Sequence, residues 1–166
     1  GDMFRSLDHE SELGKTFLSY STKGELVPDE LTIQLWQQYM NERIEEGSYD
    51  PETMLLILDG LPRTVAQAKV IEPLIDVLAV VHLNARDKEA MVARLRDRAI
   101  NQQRADDEKE EVVRNRLDVY ERETRPVLDL YDDSLVHDVD AINTMAMVMS
   151  EVLSILAPLH AKHTNS

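Results

Sequence analysis

The chain reads as an α/β domain with a mainly parallel sheet and helices on both faces. Two observations predict this. First, apolar runs rich in β-branched residues or leucine fall at Met54–Leu58 (MLLIL), Val77–Leu83 (VLAVVHL) and Leu135–Val139 (LVHDV). Near-continuous runs of this length suit strands buried on both faces. Second, the segments between and around them carry helical periodicity. Strands that alternate with helices are joined by crossovers, which makes neighbouring strands parallel. The 166 residues suit one domain with a core of its own.

Each element follows from local pattern. After Pro28, the residues Ile33, Trp36, Met40 and Ile44 recur at helical spacing, with Asp29 as a candidate N-cap and Gly47 as a stop. The MLLIL strand leads through a turn into a helix beginning near Val65. From Asp87 a helix carries Met91, Leu95 and Ala99. From about Glu110 a longer one places Val113, Leu117, Tyr120, Thr124, Val127 and Tyr131 on one face. Pro126 should kink it, since proline lacks the backbone donor. The last helix starts near Ile142, with Met145, Met149, Val152 and Leu156 directed inward. The stretch Asn101–Glu111 (NQQRADDEKEE) is the most polar and reads as an exposed loop or flap.

Composition excludes several function classes. Net charge is -14, which repels nucleic-acid phosphates, so any bound anion needs a local arginine cluster. The chain has no cysteine, which removes disulfides, thiolate metal sites and a cysteine nucleophile, and fits a reducing cytoplasm. No apolar run approaches the ~20 residues of a membrane span. His160 and His163 lack a third ligand and make no convincing metal site.

Three constellations could carry chemistry. In MLLILDGLPRTVAQA, residues 54–68, a strand ends in Asp59-Gly60 and a turn leads into a helix. Ligands of open α/β sheets bind beyond the carboxyl ends of strands. There Asp59 can hold a metal through water, and Arg63 can fork onto a phosphate or carboxylate. A plain strand-turn-helix with a solvated arginine fits as well. Arg94 and Arg98 lie one helical turn apart, with Arg96 on a different face. Arg104, Arg114 and Arg116 follow near the start of the long helix. Guanidinium groups converging on one space suit a polyphosphate, although each taken singly suits a surface ion pair.

Together these stretches resemble the adenylate kinase family of nucleoside monophosphate kinases. GDMFR at 1–5, ELGK at 12–15, KGELVPDE at 23–30, LDGLPRTVAQA at 58–68, RADD at 104–107 and VRNRLDVYERETRPVLDLY at 113–131 follow the family's order. The resemblance implies a P-loop-kinase-type three-layer fold. It also implies one domain over 1–166, with an AMP-binding segment at about 5–48 and a short lid at about 99–109. The activity implied is reversible phosphoryl transfer between magnesium-bound ATP and AMP, in the cytoplasm.

By the same resemblance, Arg5 and Arg63 grip the phosphate of AMP. Leu26 and Val27 line the base pocket, Gly60 and Thr64 belong to the same site, and Gln67 reads adenine. Asp59 holds magnesium through water. Arg94 and Arg98 serve the triphosphate side, Arg104 the lid, and Arg114 and Arg116 the transferring phosphoryl group. A short lid without cysteines resembles the zinc-free type. Thr64 and Gln67 favour AMP over a pyrimidine monophosphate as acceptor, the pyrimidine kinases being the alternative. Leu61 stands where the family usually has phenylalanine, and NQQ replaces a small-residue turn before Arg104.

One departure is larger. The family's Gly-rich phosphate loop lies upstream of the GDM segment, after a first strand, and no G-x-x-x-x-G-K-[ST] occurs in these residues. The family's first strand sits between those matching Met54–Leu58 and Val77–Leu83. The expectation is therefore of two unpaired strand edges, at about 1–3 kcal/mol for each buried unpaired group. Three readings follow: an incomplete adenylate kinase, which is favoured; a catalytically inactive AMP-binding or interaction paralogue; or a sheet completed by another copy or fragment.

Overall fold

The computed structural model describes residues 3, 8, 10–85, 87–102 and 109–164, without the side chains of 98–102 and 164. Helix α1 spans Glu12–Ser21, α2 Asp29–Glu45, α3 Val65–Ile71, α4 Lys88–Gln102, α5 Glu110–Val119 and α6 Met145–Thr164. Strands β1 (Val80–Asn84) and β2 (Val136–Asp140) pair in parallel, from Val80 opposite Val136 to Asn84 opposite Asp140. The α/β class and the parallel pairing are as the sequence predicts.

The predicted strand at Met54–Leu58 is corrected. It has no ladder partner among the described residues and carries no regular secondary structure. Its apolar pattern still directs it: Leu56 and Leu58 pack on the cluster of Ile33, Trp36 and Ile71, whereas Ile57 points away and is 72% exposed. A strand is defined by its neighbour's hydrogen bonds, and side-chain pattern supplies only the facing. Leu61 and Ile75 join the same cluster, and so does Met3 of the opening GDMFR.

Helix α1 was not anticipated. Ser11 caps it, its hydroxyl accepting from Gly14 N–H at 3.0 Å. In α2 the expected Ile33 and Trp36 are buried, but Ile44 is exposed. Asp29 is not its N-cap. Pro28 holds that position without a side-chain bond, and Asp29 turns toward another element. Asp87 does cap α4, accepting from Glu89 and Ala90 N–H at 2.9 and 3.1 Å. Helix α4 runs to Gln102, so the first residues of the expected lid continue it.

The long helix is interrupted at the predicted place. After α5 the chain forms a π turn over Tyr120–Thr124, then a 3-10 helix over Arg125–Leu130 with Pro126 in its first turn. Proline cannot donate to the preceding turn, so the helix changes pitch where that bond is missing. Val113, Val119 and Val127 stay buried along this composite.

The inward face of α6 differs in part: Met145 and Met149 are 70% and 53% exposed, whereas Val152 and Leu156 are half-buried as expected, with Val148, Ile155 and Leu159 beside them. The stretch Met145–His163 is long and apolar enough to cross a membrane by length and composition. This corrects the expectation that no apolar run approaches a membrane span: Ser150, Glu151 and Ser154 interrupt the stretch without making it polar on average. One weakly apolar helix is not evidence for a membrane protein.

Candidate active site

The turn from Asp59 to Gln67 joins the Met54–Leu58 segment to α3. Asp59 and Gly60 are exposed. The guanidinium of Arg63 folds back, Nε donating to Gly60 O at 2.9 Å. Gly60 has φ +76°, and a Cβ there would meet Arg63 Nη2 at 2.7 Å. The positive φ favours glycine here, while the arginine tip lying across it could shift.

Thr64 caps α3, its hydroxyl accepting from Gln67 N–H at 3.1 Å and donating to Asp29 Oδ2 at 2.9 Å. Gln67 is 2% exposed. Its Oε1 accepts from Arg63 N–H at 2.7 Å and its Nε2 donates to Asp29 Oδ1 at 2.7 Å. Thr124, in the π turn, donates to Arg63 O at 2.8 Å. The turn is thus braced from α2 by Asp29, from the π turn by Thr124, and internally by Gln67. Neither Asp29 nor Thr124 was singled out for this turn from sequence. Asp29 is 35 residues from Thr64, and Thr124 is 61 from Arg63.

The other arginines occupy a different environment. Arg94 reaches across to the β2–α6 loop, donating to Asn143 O at 2.7 Å. Arg114 forks onto Glu89, at 2.8 and 2.7 Å, while its Nε donates to Glu110 at 3.0 Å. Arg96 donates to the other oxygen of Glu110 at 3.0 Å. The hydrogen bonds and charge of Arg114 hold the Glu89 carboxyl below its usual range, and the two glutamates hold Arg114 above its own. The adjoining groove, about 530 Å³, is lined by Glu110, Glu111, Arg114, Asn115 and Asp118. Three carboxylates around one arginine do not suit a phosphate in this arrangement.

A joint connects the two regions. Asn115 Nδ2 donates to Lys23 O at 2.7 Å. Beside it Gly24 has φ +73°, and a Cβ there would meet Arg116 Cγ at 2.7 Å and Val112 O at 2.8 Å. Leu26 and Val27 follow, half-buried, and the Val27 carbonyl accepts from Thr32 Oγ1 at 3.4 Å. Among the expected site residues, the structure brings Gly60, Arg63, Thr64 and Gln67 together. It places Arg116 against Gly24 and keeps Arg114 on the carboxylates. Arg5, Arg104 and the Arg98 side chain lie outside the described residues.

A second polar chain crosses the sheet. Tyr120 Oη lies 2.6 Å from His82 Nε2, and His82 Nδ1 lies 2.6 Å from Asp138 Oδ1. Burial pushes the Tyr120 phenol up. The Asp138 carboxylate only accepts, so His82 Nδ1 donates to it. The chain ties the π turn to both strands.

Among the described residues no three acidic or histidine side chains cluster closely enough to hold a metal. Asp59 stands alone and exposed beyond the Met54–Leu58 segment. A lone carboxylate fits a magnesium that keeps its waters and takes its other ligands from phosphates, and does not fit an all-protein metal cage.

A family model described as adenylate kinase matches residues 1–136. An adenylate kinase of Kocuria rhizophila is 35% identical over 162 residues, covering 94% of this chain and 82% of the relative. One of Clavibacter michiganensis subsp. michiganensis is 37% identical over 164 residues, covering 95% and 78%. One of Flavobacterium psychrophilum is 33% identical over 164 residues, covering 93% and 82%.

Proposed function

The chain belongs to the adenylate kinase family of nucleoside monophosphate kinases, and from that we propose that it binds AMP at the braced turn 59–67 as the acceptor half of ATP–AMP phosphoryl transfer. The observation that carries this is the fixing of Arg63 and Gln67 in one rigid turn, with their backbone and amide groups bonded to each other. Phosphoryl transfer needs alignment and charge neutralisation more than covalent help. A planar guanidinium on a fixed turn supplies both for a monophosphate.

Arg63, with Arg5, grips the phosphate. Leu26 and Val27 cover the base, and Gly60, Thr64 and Gln67 complete the site. Adenylate kinases generally use magnesium with ATP, and Asp59 is the residue that would hold it through water. The ion would screen charge between the two nucleotides when bound. Arg94, Arg98, Arg104, Arg114 and Arg116 serve the triphosphate and the closing lid at about 99–109. For Arg114 this requires exchanging Glu89 and Glu110 for phosphate oxygens. The AMP-binding segment of about 5–48 and the lid act as parts of one domain, in the cytoplasm.

These 166 residues contain no P-loop sequence, so as a separate polypeptide they are expected to bind AMP and to transfer phosphoryl groups poorly. A second reading, AMP binding without catalysis, is favoured by the way Arg94 and Arg114 are already bonded. Titration with AMP and a coupled assay for ADP formation test both. AMP binding that Arg63→Ala weakens supports the site. Turnover at a rate ordinary for the family would sink the view that the chain is incomplete for catalysis. Absence of AMP binding would sink the proposal.

A further inference from the structure

Threonine hydroxyls on the helical backbone of this chain are used in two ways. Thr16 and Thr22 donate to carbonyls four residues back, Glu12 O at 2.8 Å and Leu18 O at 2.7 Å. That is the ordinary local use of such a hydroxyl. Thr124 instead donates to Arg63 O, 61 residues away, at 2.8 Å. Thr124 ends the π turn, in which Arg125 N–H donates to Tyr120 O, five residues back. Such a turn holds an extra residue, so its side chains leave the directions set by the preceding α-helix, and turns of this kind recur at functional sites.

The bond acts on the root of the Arg63 side chain. Each residue has two soft backbone dihedrals. The Arg63 N–H donates to Gln67 Oε1 at 2.7 Å, which holds the peptide before it, and the Arg63 carbonyl accepts from Thr124, which holds the peptide after it. Both planes that meet at the Arg63 Cα are thereby fixed, and with them the direction of its Cα–Cβ bond. A rotation there is magnified along the long side chain, and a guanidinium fork serves a phosphate only when it is aligned with the oxygens. The π turn is itself held from the sheet. At its first residue Tyr120 Oη lies 2.6 Å from His82 Nε2 of β1, and His82 Nδ1 donates to Asp138 of β2 at 2.6 Å.

We propose that Thr124 is a positioning residue for the monophosphate, aiming the Arg63 guanidinium by holding the Arg63 carbonyl, with the Tyr120–His82–Asp138 chain anchoring the π turn that carries it. This rests on the monophosphate reading above. In this role Thr124 acts through Arg63 alone.

The test is an NMR titration with AMP, which reads weak as well as tight binding. It compares the wild type, Thr124→Val, Thr124→Ser, Arg63→Ala and the double variant Arg63→Ala/Thr124→Val. Valine keeps the branched shape and removes the hydroxyl. Thr124→Val is expected to weaken AMP binding by about three- to tenfold, the worth of one hydrogen bond. Thr124→Ser restores the donor and should recover most of that loss. On Arg63→Ala no guanidinium is left to aim, so adding Thr124→Val should weaken binding by less than about twofold. The same loss on both backgrounds would mean general support of the fold and overturns the inference. Wild-type affinity in Thr124→Val, or no recovery in Thr124→Ser, overturns it too, and each leaves the AMP site standing. If Thr124→Val does not melt cooperatively, Tyr120→Phe takes its place, since it cuts the anchor to His82 and keeps the ring. A loss of about threefold that disappears on Arg63→Ala is then expected, and any other result overturns the inference. Failure of the wild type to bind AMP overturns the site itself and this inference with it.

Discussion

The turn at 59–67 and the arginine cluster between α4 and α5 carry the same kind of side chain in opposite states. Around the turn, Gln67 is buried, Arg63 and Thr64 are half-buried, and half of the bonds join residues far apart in sequence. Between α4 and α5, Arg96 and Arg114 are exposed and matched to Glu89 and Glu110. The first arrangement is fixed by internal bonds, as the proposed AMP site needs. The second is a set of exposed ion pairs, which solvent and salt weaken. A transfer enzyme benefits from both, because one substrate must be positioned before the other is closed upon.

The largest expected effect breaks the joint between the two regions. Gly24→Ala places a Cβ against Arg116 Cγ and the Val112 carbonyl at a positive φ. Left-handed backbone costs about 1–2 kcal/mol and overpacking about 1–3 kcal/mol more. A clear fall in midpoint in urea unfolding is expected, and a wild-type midpoint would show that the joint yields freely.

Next is Arg63→Ala. Losing a charged hydrogen-bonding group at a phosphate costs about 1.5–3 kcal/mol, roughly a 10- to 150-fold loss of AMP affinity by titration. Arg63→Lys should recover only part, since lysine lacks the fork. An equal recovery would argue for plain charge attraction there and erase the contrast with the exposed cluster.

Gln67→Leu follows. It leaves the Arg63 N–H without its acceptor, at about 1–3 kcal/mol of stability, measured by denaturant unfolding. The brace through Asp29 and Thr64 survives, so the loss should be smaller than for Gly24→Ala.

The smallest effect is Glu89→Gln. The Glu89 carboxyl is fully exposed, and its value in the folded chain lies below the ordinary 4.5 because Arg114 bonds to it. A depressed carboxyl stabilises the fold above its unfolded value, and the contribution disappears as pH falls through the folded value. Melting temperatures at neutral pH should differ little between variant and wild type, and less at high salt or once the pH falls below the folded carboxyl's lowered value. A large neutral-pH difference would make the cluster as rigid as the turn.

Much of this was legible in the sequence. The apolar runs at 77–83 and 135–139 marked both strands to within three residues, and Pro126 marked the break after α5. The turn residues Gly60, Arg63, Thr64 and Gln67 were recognisable because their motif is contiguous. Asp29 was legible only as a helix start, since nothing near it in the chain reveals Thr64 and Gln67.

By itself, the sequence determined what local chemistry can encode: helix periods, the break at Pro126, the run of a strand and the motif of one loop. Only the tertiary structure decided that Met54–Leu58 has no ladder partner among the described residues and that Met145 and Met149 face outward. It also decided that Arg114 rests on Glu89 and that Asp29 orients Gln67. The physical reason is common to all four. Strand pairing, burial and side-chain hydrogen bonds belong to pairs of residues brought together by folding, whereas periodicity and capping belong to neighbours along the chain.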